Sequence, residues 1–564
     1  MGHRERESRR IRGYGVRLLL AAVCVSAALA GCGGGSSGGG TGASTTPTSP
    51  APVRPTSAEA FAFLDEATFG PKPAEVQRVT QIGYEAWLDE QIALPPTYHL
   101  PVVRELFAAN PPPQGQPQSQ NDRLDAWFRA ALNGPDALRQ KVAYALSQIL
   151  VASDVGALRN QPQALANYQD VLVRHALGNF RDLLRDVTLS PAMGVYLSML
   201  GNRRPDPVRN IRPDENYARE VMQLFTIGLV ELNRDGTPKV DAQGVGLPTY
   251  DQSVIEGFAH VFTGWTYAGA TAGNFANPPR NWTAPMAPVA AFHDTGPKKL
   301  LGGVTLPAGQ TAEQDLEAAL DNLFRHPNVG PFVGRQLIQR LVTANPSPAY
   351  VERVARTFDD DGRGVRGNLA AVVRAILLDP EARAAATDRS GKLEEPFLRL
   401  VQLWRAYGAR SGSGRYLLAA PEQAFGQAPL RSPSVFNFYR PDHQPPGELQ
   451  AAGLVSPELQ ITTETTTVTT ANALYNLVFF RNSSVTNAGP NDVLIDVTEE
   501  LALTDTPTAL VERIAAKLLG GRISDRLRQA AVEQVGRVPA TNRAGRVAEA
   551  LYLVVTSPEY AVDR

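Results

Sequence analysis

"AEVQRVTQIGYEAWLDEQIAL", residues 74–94, sets Val76, Val79, Ile82, Trp87, Leu88 and Ile92 three or four positions apart. That spacing gathers apolar side chains on one side of a helix and leaves the charged ones on the other. The same period returns from residue 57 onward, in "NDRLDAWFRAALNG", "DALRQKVAYALSQILVAS", "ANYQDVLVRHALGNFRDLLRDVTL", "VGPFVGRQLIQRLVTA" and "AGRVAEALYLVVTS". Strand signals are few. A mainly α fold is predicted: a large multi-helix domain with an inserted β-hairpin or irregular segment.

With 564 residues, 43% hydrophobic and 20% charged, the chain has ordinary globular composition and can bury a large core. Its 55 basic residues nearly cancel its 56 acidic ones, so no long-range field gathers nucleic acid. Residues 1–31 read as a signal peptide, because the Arg-rich "HRERESRRIRGYGVR" leads into "LLLAAVCVSAALA", a run too short to span a bilayer. Leu29-Ala30-Gly31-Cys32 resembles the lipobox of bacterial lipoproteins, which predicts lipidation at Cys32 and anchoring in the cell envelope, on the periplasmic or surface face. Residues 32–56, rich in Gly, Ser, Thr and Pro, form a flexible tether. Arg9-Arg10 leaves Sec and twin-arginine export both open. With Cys24 removed and Cys32 lipidated, the mature domain has no thiol for a disulfide, a metal or a nucleophile.

The remainder, 57–564, reads as one helical domain, or as two helical lobes (57–232 and 311–564) joined by the irregular segment 233–310. Three corners, "TLSPAMGVYL", "LLDPEARAA" and "VTSPEYAVDR", end one helix and start another; Ser190, Asp379 and Ser557 are expected to cap and the following Pro to preset φ. Within the irregular segment, "PVAAFHDTGPKKLLGGVTL" reads as two short extended runs around an Asp-Thr-Gly turn. A second irregular stretch, "RSPSVFNFYRPDHQPPGEL" at 431–449, is rich in Pro and aromatic residues, and long irregular segments are often functional. The Thr run in "TTETTTVTTANALYNLVFF" is expected to be helical because "ANALYNLVFF" continues it.

Several strings together resemble the bacterial domain-of-unknown-function 1800 family: "FLDEATFGPKPAEV", "LRQKVAYALSQILV", "DENYAREVMQLFTIGL", "FTGWTY", "FHDTGPKKLLG", "KLEEPFLRL" and "SPSVFNFYRPDHQPPG", in order from about residue 60 to the C-terminus. The resemblance implies an exported, mainly helical protein and no particular reaction. It also suggests as partner an exported protein of the domain-of-unknown-function 1501 family, with a sulfatase-like fold. His260 stands where the family is expected to carry Arg, so a metal scheme built on His260 would not be family-wide.

In "FHDTGPKKLLG", His293, Asp294 and Lys298 offer a general base, an orienting carboxylate and a cation. The local reading gives Asp294 an Asx turn, Gly296 a positive φ and His293 a place capping the hairpin. In "DENYAREVMQLFTIGL", Asp214 is the expected N-cap, Tyr217, Val221, Leu224, Phe225 and Gly228 the buried stripe, and Glu215 the partner of Arg219 one turn on. Glu215 and Glu220 lie five apart, about 140° around a helix, and so form no carboxylate pair. Glu220, at the edge of the stripe, needs a partner: Arg335 or Arg340 if it is structural, the His293-Asp294 turn if it is catalytic. Arg335 and Arg340 are also about 140° apart, and pairing with neighbouring carboxylates is favoured over anion binding. Arg431 and Arg440 flank "SPSVFNFY", whose aromatics would stack on a glycan or, as favoured, pack inward. Glu215, Asn216, Arg219 and Trp265 complete the binding candidates. No G-x-S-x-G elbow, P-loop or dinucleotide fingerprint occurs, no metal site is apparent, and the cofactor is left unknown. The expected role is a binding or assembly factor for an exported partner protein or envelope polymer. The alternative is a hydrolase-like enzyme using Glu220, His293 and Asp294.

Overall fold

Gly83 breaks the opening run in two. With φ at 87°, a conformation that glycine adopts without a Cβ penalty, it ends the helix Pro73–Ile82 and starts Tyr84–Ala93. The computed structural model describes residues 54–385, 387 and 390–563; the leader 1–31, Cys32 and the tether up to residue 53 lie outside them. The chain is mainly α, as its periodicity predicts, with helices from Ser57–Ala67 to Pro558–Ala561 and only two-residue strands in paired sets. The Thr run is a helix, Glu464–Phe480, capped at Thr463. Among the described residues no helix is long and apolar enough to cross a membrane.

Two apolar clusters make most of the interior. One joins Phe63, Leu88, Tyr168, Phe180, Tyr217, Phe258, Leu316, Ile338 and Tyr350. The other gathers Phe69, Trp127, Phe128, Phe397, Trp404, Leu477, Ile514 and Leu551. Helix Ala137–Ser147 is buried along its whole length and feeds both, with Leu138 and Val142 in the first and Tyr144 in the second. A helix covered on every side sits at such a seam, and its buried polar side chains are bonded there, Gln140 to the Thr97 carbonyl and Arg139 to the Leu94 carbonyl.

The corners differ in detail. Ser557 caps as expected, accepting from Tyr560 N–H with Pro558 at the first helical position. Ser190 holds the N-cap position before Pro191, but its buried hydroxyl has no hydrogen-bond partner. Asp379 accepts from Glu381 N–H and pairs with Arg353 at 2.7 Å, and a turn rather than a helix follows.

In the irregular segment the hairpin is displaced from its expected place. Ala287–Pro288 pairs with Trp265–Thr266, Ala290–Phe292 is a 3-10 turn, and Lys298–Lys299 pairs with Thr305–Leu306. The chain reverses at Gly302 and Gly303, both at positive φ, and not at Asp294-Thr295-Gly296. Earlier in the segment, isolated bridges Val230 to Pro248, Leu232 to Pro238 and Val240 to Gly246 fold residues 229–249 into a small ladder. It leaves Leu229, Val240, Val245 and Leu247 exposed.

Candidate functional site

Helix Asn216–Gln223 begins one residue later than the sequence suggests. Glu215 holds the N-cap position, and Asp214 instead accepts Asn216 N–H at 2.8 Å. The side chain of Asn202 grips Asp214 from behind, accepting its N–H and donating to its carbonyl. Tyr217, Val221 and Phe225 are buried as expected, and Glu215 pairs with Arg219 at 3.0 Å. Glu215 also accepts from Gln252, tying this helix to Gln252–Val261, while Asn216 stays exposed. Glu220 is 8% exposed, and its Oε2 has no hydrogen-bond partner. Burial pushes its carboxyl up, opposed by Arg219. No hydrogen bond or ion pair takes Glu220 to Arg335, to Arg340 or to the His293-Asp294 turn; Arg219, Tyr196 and Tyr250 are the groups that feel its charge.

The turn itself is held from within, on Asp315 Oδ2, while the buried Oδ1 of that carboxylate has no hydrogen-bond partner. His293 is 1% exposed; its Nε2 meets Asp315 at 2.9 Å and its Nδ1 lies 3.0 Å from the Thr263 carbonyl. Lys298 ion-pairs with the same Asp315 oxygen at 2.7 Å and donates to the Gly296 carbonyl at 2.8 Å. Thr263 Oγ1, 3.3 Å from His293, completes the outline of a hydroxyl–imidazole–carboxylate relay. That hydroxyl is buried, donates to the His260 carbonyl and accepts from Asp294 N–H, so it is not free to attack anything. Asp294 accepts from Gly296 N–H in the expected Asx turn, although Gly296 takes no positive φ. Outward, Asp294 pairs with His260, and the hydrogen bond to His260 holds its carboxyl down at about 2. The imidazole at position 260 thus serves Asp294 as the expected Arg could. Trp265, two residues after Thr263, is buried in its strand with Nε1 unpaired.

The four arginines divide. Arg431 pairs with Asp154 and Glu422, both at 2.9 Å, and Arg123 shares Asp154, so Arg431 braces the aromatic loop. Arg335 and Arg340, contrary to expectation, meet no carboxylate within ion-pair distance. Arg340 is 4% exposed and donates to the carbonyls of Gln336 and Gln148, with Nε unpaired; Arg335 is exposed. Both line a cleft of about 460 Å³ together with Arg440, Asp442 and the ladder residues Leu229 and Val230. Five residues apart on helix Val329–Leu341, they still reach one cleft because the loop 435–442 folds across the helix. The aromatics of that loop part company: Tyr439 is buried and donates to Gln148, and Phe436 is 49% exposed. Gln148 is held in turn by Glu395, which also accepts from Tyr144 and Gln427. Around this floor Gln336 Nε2, Arg340 Nε and Asn437 Nδ2 are buried donors without acceptors. Asn437, at φ 66°, occupies the left-handed conformation that Asn tolerates better than most residues.

Fold and cleft together define a mainly helical protein whose ladder, helix Val329–Leu341 and aromatic loop meet over a floor of unpaired donors. Its chain belongs to the family described as "Protein of unknown function (DUF1800)", whose model matches residues 62–562. No curated protein and no solved structure matches it. Among the described residues no three His, Asp, Glu or Cys side chains are grouped to hold a metal ion. Asp315, Gln148, Gln336 and Asn437 were not legible as site residues. Each lies in an ordinary amphipathic run or loop, and only the tertiary fold gives it neighbours.

Proposed function

We propose that this protein is a non-enzymatic assembly factor of the bacterial envelope, anchored through Cys32 and holding an exported partner protein in the cleft beside helix Val329–Leu341. The observation that carries this reading is a pair of arginines that meet no carboxylate at ion-pair distance, Arg335 exposed beside Asp442 and Arg340 on the cleft floor within the field of Glu395 and Glu458. Exposed Phe436 and Leu229 border them. Arginine and aromatic side chains around a desolvated floor are the composition of protein-interface hot spots. The guanidinium of Arg335, open to the cleft, calls for an acceptor-rich group, so the captured segment carries an Asp, a Glu or a C-terminal carboxylate. The exposed apolar residues of the ladder extend the surface beyond the cleft. An exported protein of the domain-of-unknown-function 1501 family is the proposed partner. Against the hydrolase reading stands the internal saturation of His293 and Lys298, and the distance in bonding between them and Glu220.

The test is co-purification from detergent-solubilised membranes with the exported partner tagged. Wild-type protein should be retained, and Arg335→Glu with Phe436→Ser should lose at least tenfold in recovery, since truncating such anchors costs more than about 1.4 kcal/mol. Retention unaffected by these changes, or no co-purification by wild type, sinks the reading.

A further inference from the structure

A second cleft, of about 540 Å³, shares no lining residue with the arginine cleft and lies where helix Leu100–Ala109, the start of helix Pro162–His175 and the loop 268–283 come together. That volume lies within the roughly 300–1,000 Å³ of small-molecule sites. Its walls carry Arg104, Phe107, Asn160, Gln161, Arg280 and Trp282, and no carboxylate lines it. The chain has five tryptophans. Trp87, Trp127, Trp265 and Trp404 are at most 3% exposed; Trp282 alone is half-buried, standing edge-on against Tyr267 at 5.1 Å with its ring at the cleft.

The loop is shaped to present that ring. Asn281 accepts from Thr283 and Ala284 N–H, closing a turn around Trp282, and Arg104 donates to Thr283 Oγ1 across the cleft. Arg280 and the amide side chains of Asn160 and Gln161 make no hydrogen bond or ion pair among the described residues, Arg280 acting only on the Tyr267 phenol through space, whereas Gln163 and Gln118 are tied to each other. A flat aromatic face beside free amides suits a pyranose ring: its C–H face packs on the indole and its vicinal hydroxyls pair with donor and acceptor together. Two guanidiniums without a lining carboxylate add a preference for a negatively charged sugar.

We propose that this cleft is a subsite for an acidic polysaccharide, with one uronate ring stacked on Trp282 and its carboxylate held by Arg104 and Arg280. It stands independently of the partner cleft, and with it the protein would join an envelope polymer to an exported protein.

The experiment titrates oligogalacturonate into the full chain in detergent and follows acrylamide quenching of tryptophan emission, which the burial of the other four indoles assigns to Trp282. Saturable shielding is expected. Trp282→Ala should abolish the signal change and weaken binding by calorimetry roughly tenfold or more. Arg104→Gln with Arg280→Gln, which keeps the reporter ring, should weaken it comparably and remove its salt dependence. Absence of shielding overturns the proposal, as does undiminished calorimetric binding in both variants. Equal affinity for a neutral maltotetraose overturns the acidic class.

Discussion

Asp315 is fully buried and is the anion shared by His293 and Lys298. Breaking a buried ion pair by removing one partner leaves an uncompensated charge, at about 3–5 kcal/mol, whereas replacing both partners by apolar groups is often nearly neutral. Asp315→Asn is therefore expected to cost about that much in denaturant unfolding, and Asp315→Leu with Lys298→Met to recover most of it. A loss under about 0.5 kcal/mol for the single variant would mean that the pair does not pin the turn. Glu220 makes the converse case. Its raised carboxyl pKa means that the folded chain binds a proton more tightly than the unfolded one. The stabilisation is full below the unfolded value of about 4.3 and is lost as pH rises through the folded value. Glu220→Gln should hold its Tm across that window while the wild-type Tm declines; parallel curves would place the proton elsewhere.

Between elements, Gly257 marks the tightest approach made at any described glycine. A Cβ on Gly257, in helix Gln252–Val261, would stand 1.8 Å from the Lys299 carbonyl oxygen, so the helix rests directly on the strand backbone. Gly257→Ala must part the two, and overpacking of this kind costs about 1–3 kcal/mol. The shift should also disturb the turn at His293, visible as faster hydrogen exchange at residues 293–299; unchanged exchange would show that the strand yields without cost. The elements themselves were largely legible. Trp87 and Leu88 lie where the period of the opening run places them, because a helix is written in neighbours three and four residues away. The hairpin was misplaced because Asp-Thr-Gly and Gly-Gly both signal a turn, and only pairing with Thr305–Leu306 decides between them. The site was less legible still. Asp315 lies 22 residues beyond the turn residue His293, on helix Ala312–Phe324, and nothing local marks it. Arg335 and Arg340 were correctly placed on different faces, but that a loop a hundred residues on closes over both was not written near either.

Across the whole molecule, the described chain closes near its two ends. Asp65, on helix Ser57–Ala67, hydrogen-bonds the carboxyl of Asp563, on the last strand, which in turn meets Glu394 beside strand Lys392–Leu393. Burial, with mutual repulsion second, pushes the three up, Asp65 to about 6, Asp563 to about 7 and Glu394 to about 8. Lys141, Lys392 and Arg522 oppose the shift, and Gln402 donates to Asp65 at 3.0 Å. Carboxyl groups crowded in this way cannot all ionise, and the protons belong to the cluster rather than to any one residue. Raised folded values fix the sign: the closure is tightest below the unfolded values near about 4 and loosens as pH climbs through 6 to 8. Asp563→Asn keeps the shape, donates permanently to its neighbours and removes one charge. Its Tm by calorimetry should match wild type at pH 5 and exceed it at pH 8.5, because the wild-type cluster has by then surrendered its protons. Equal Tm values at pH 8.5 would mean that the ends are held by packing alone, with Tyr560 and its hydrogen bond to the Arg399 carbonyl carrying the closure in place of the shared protons.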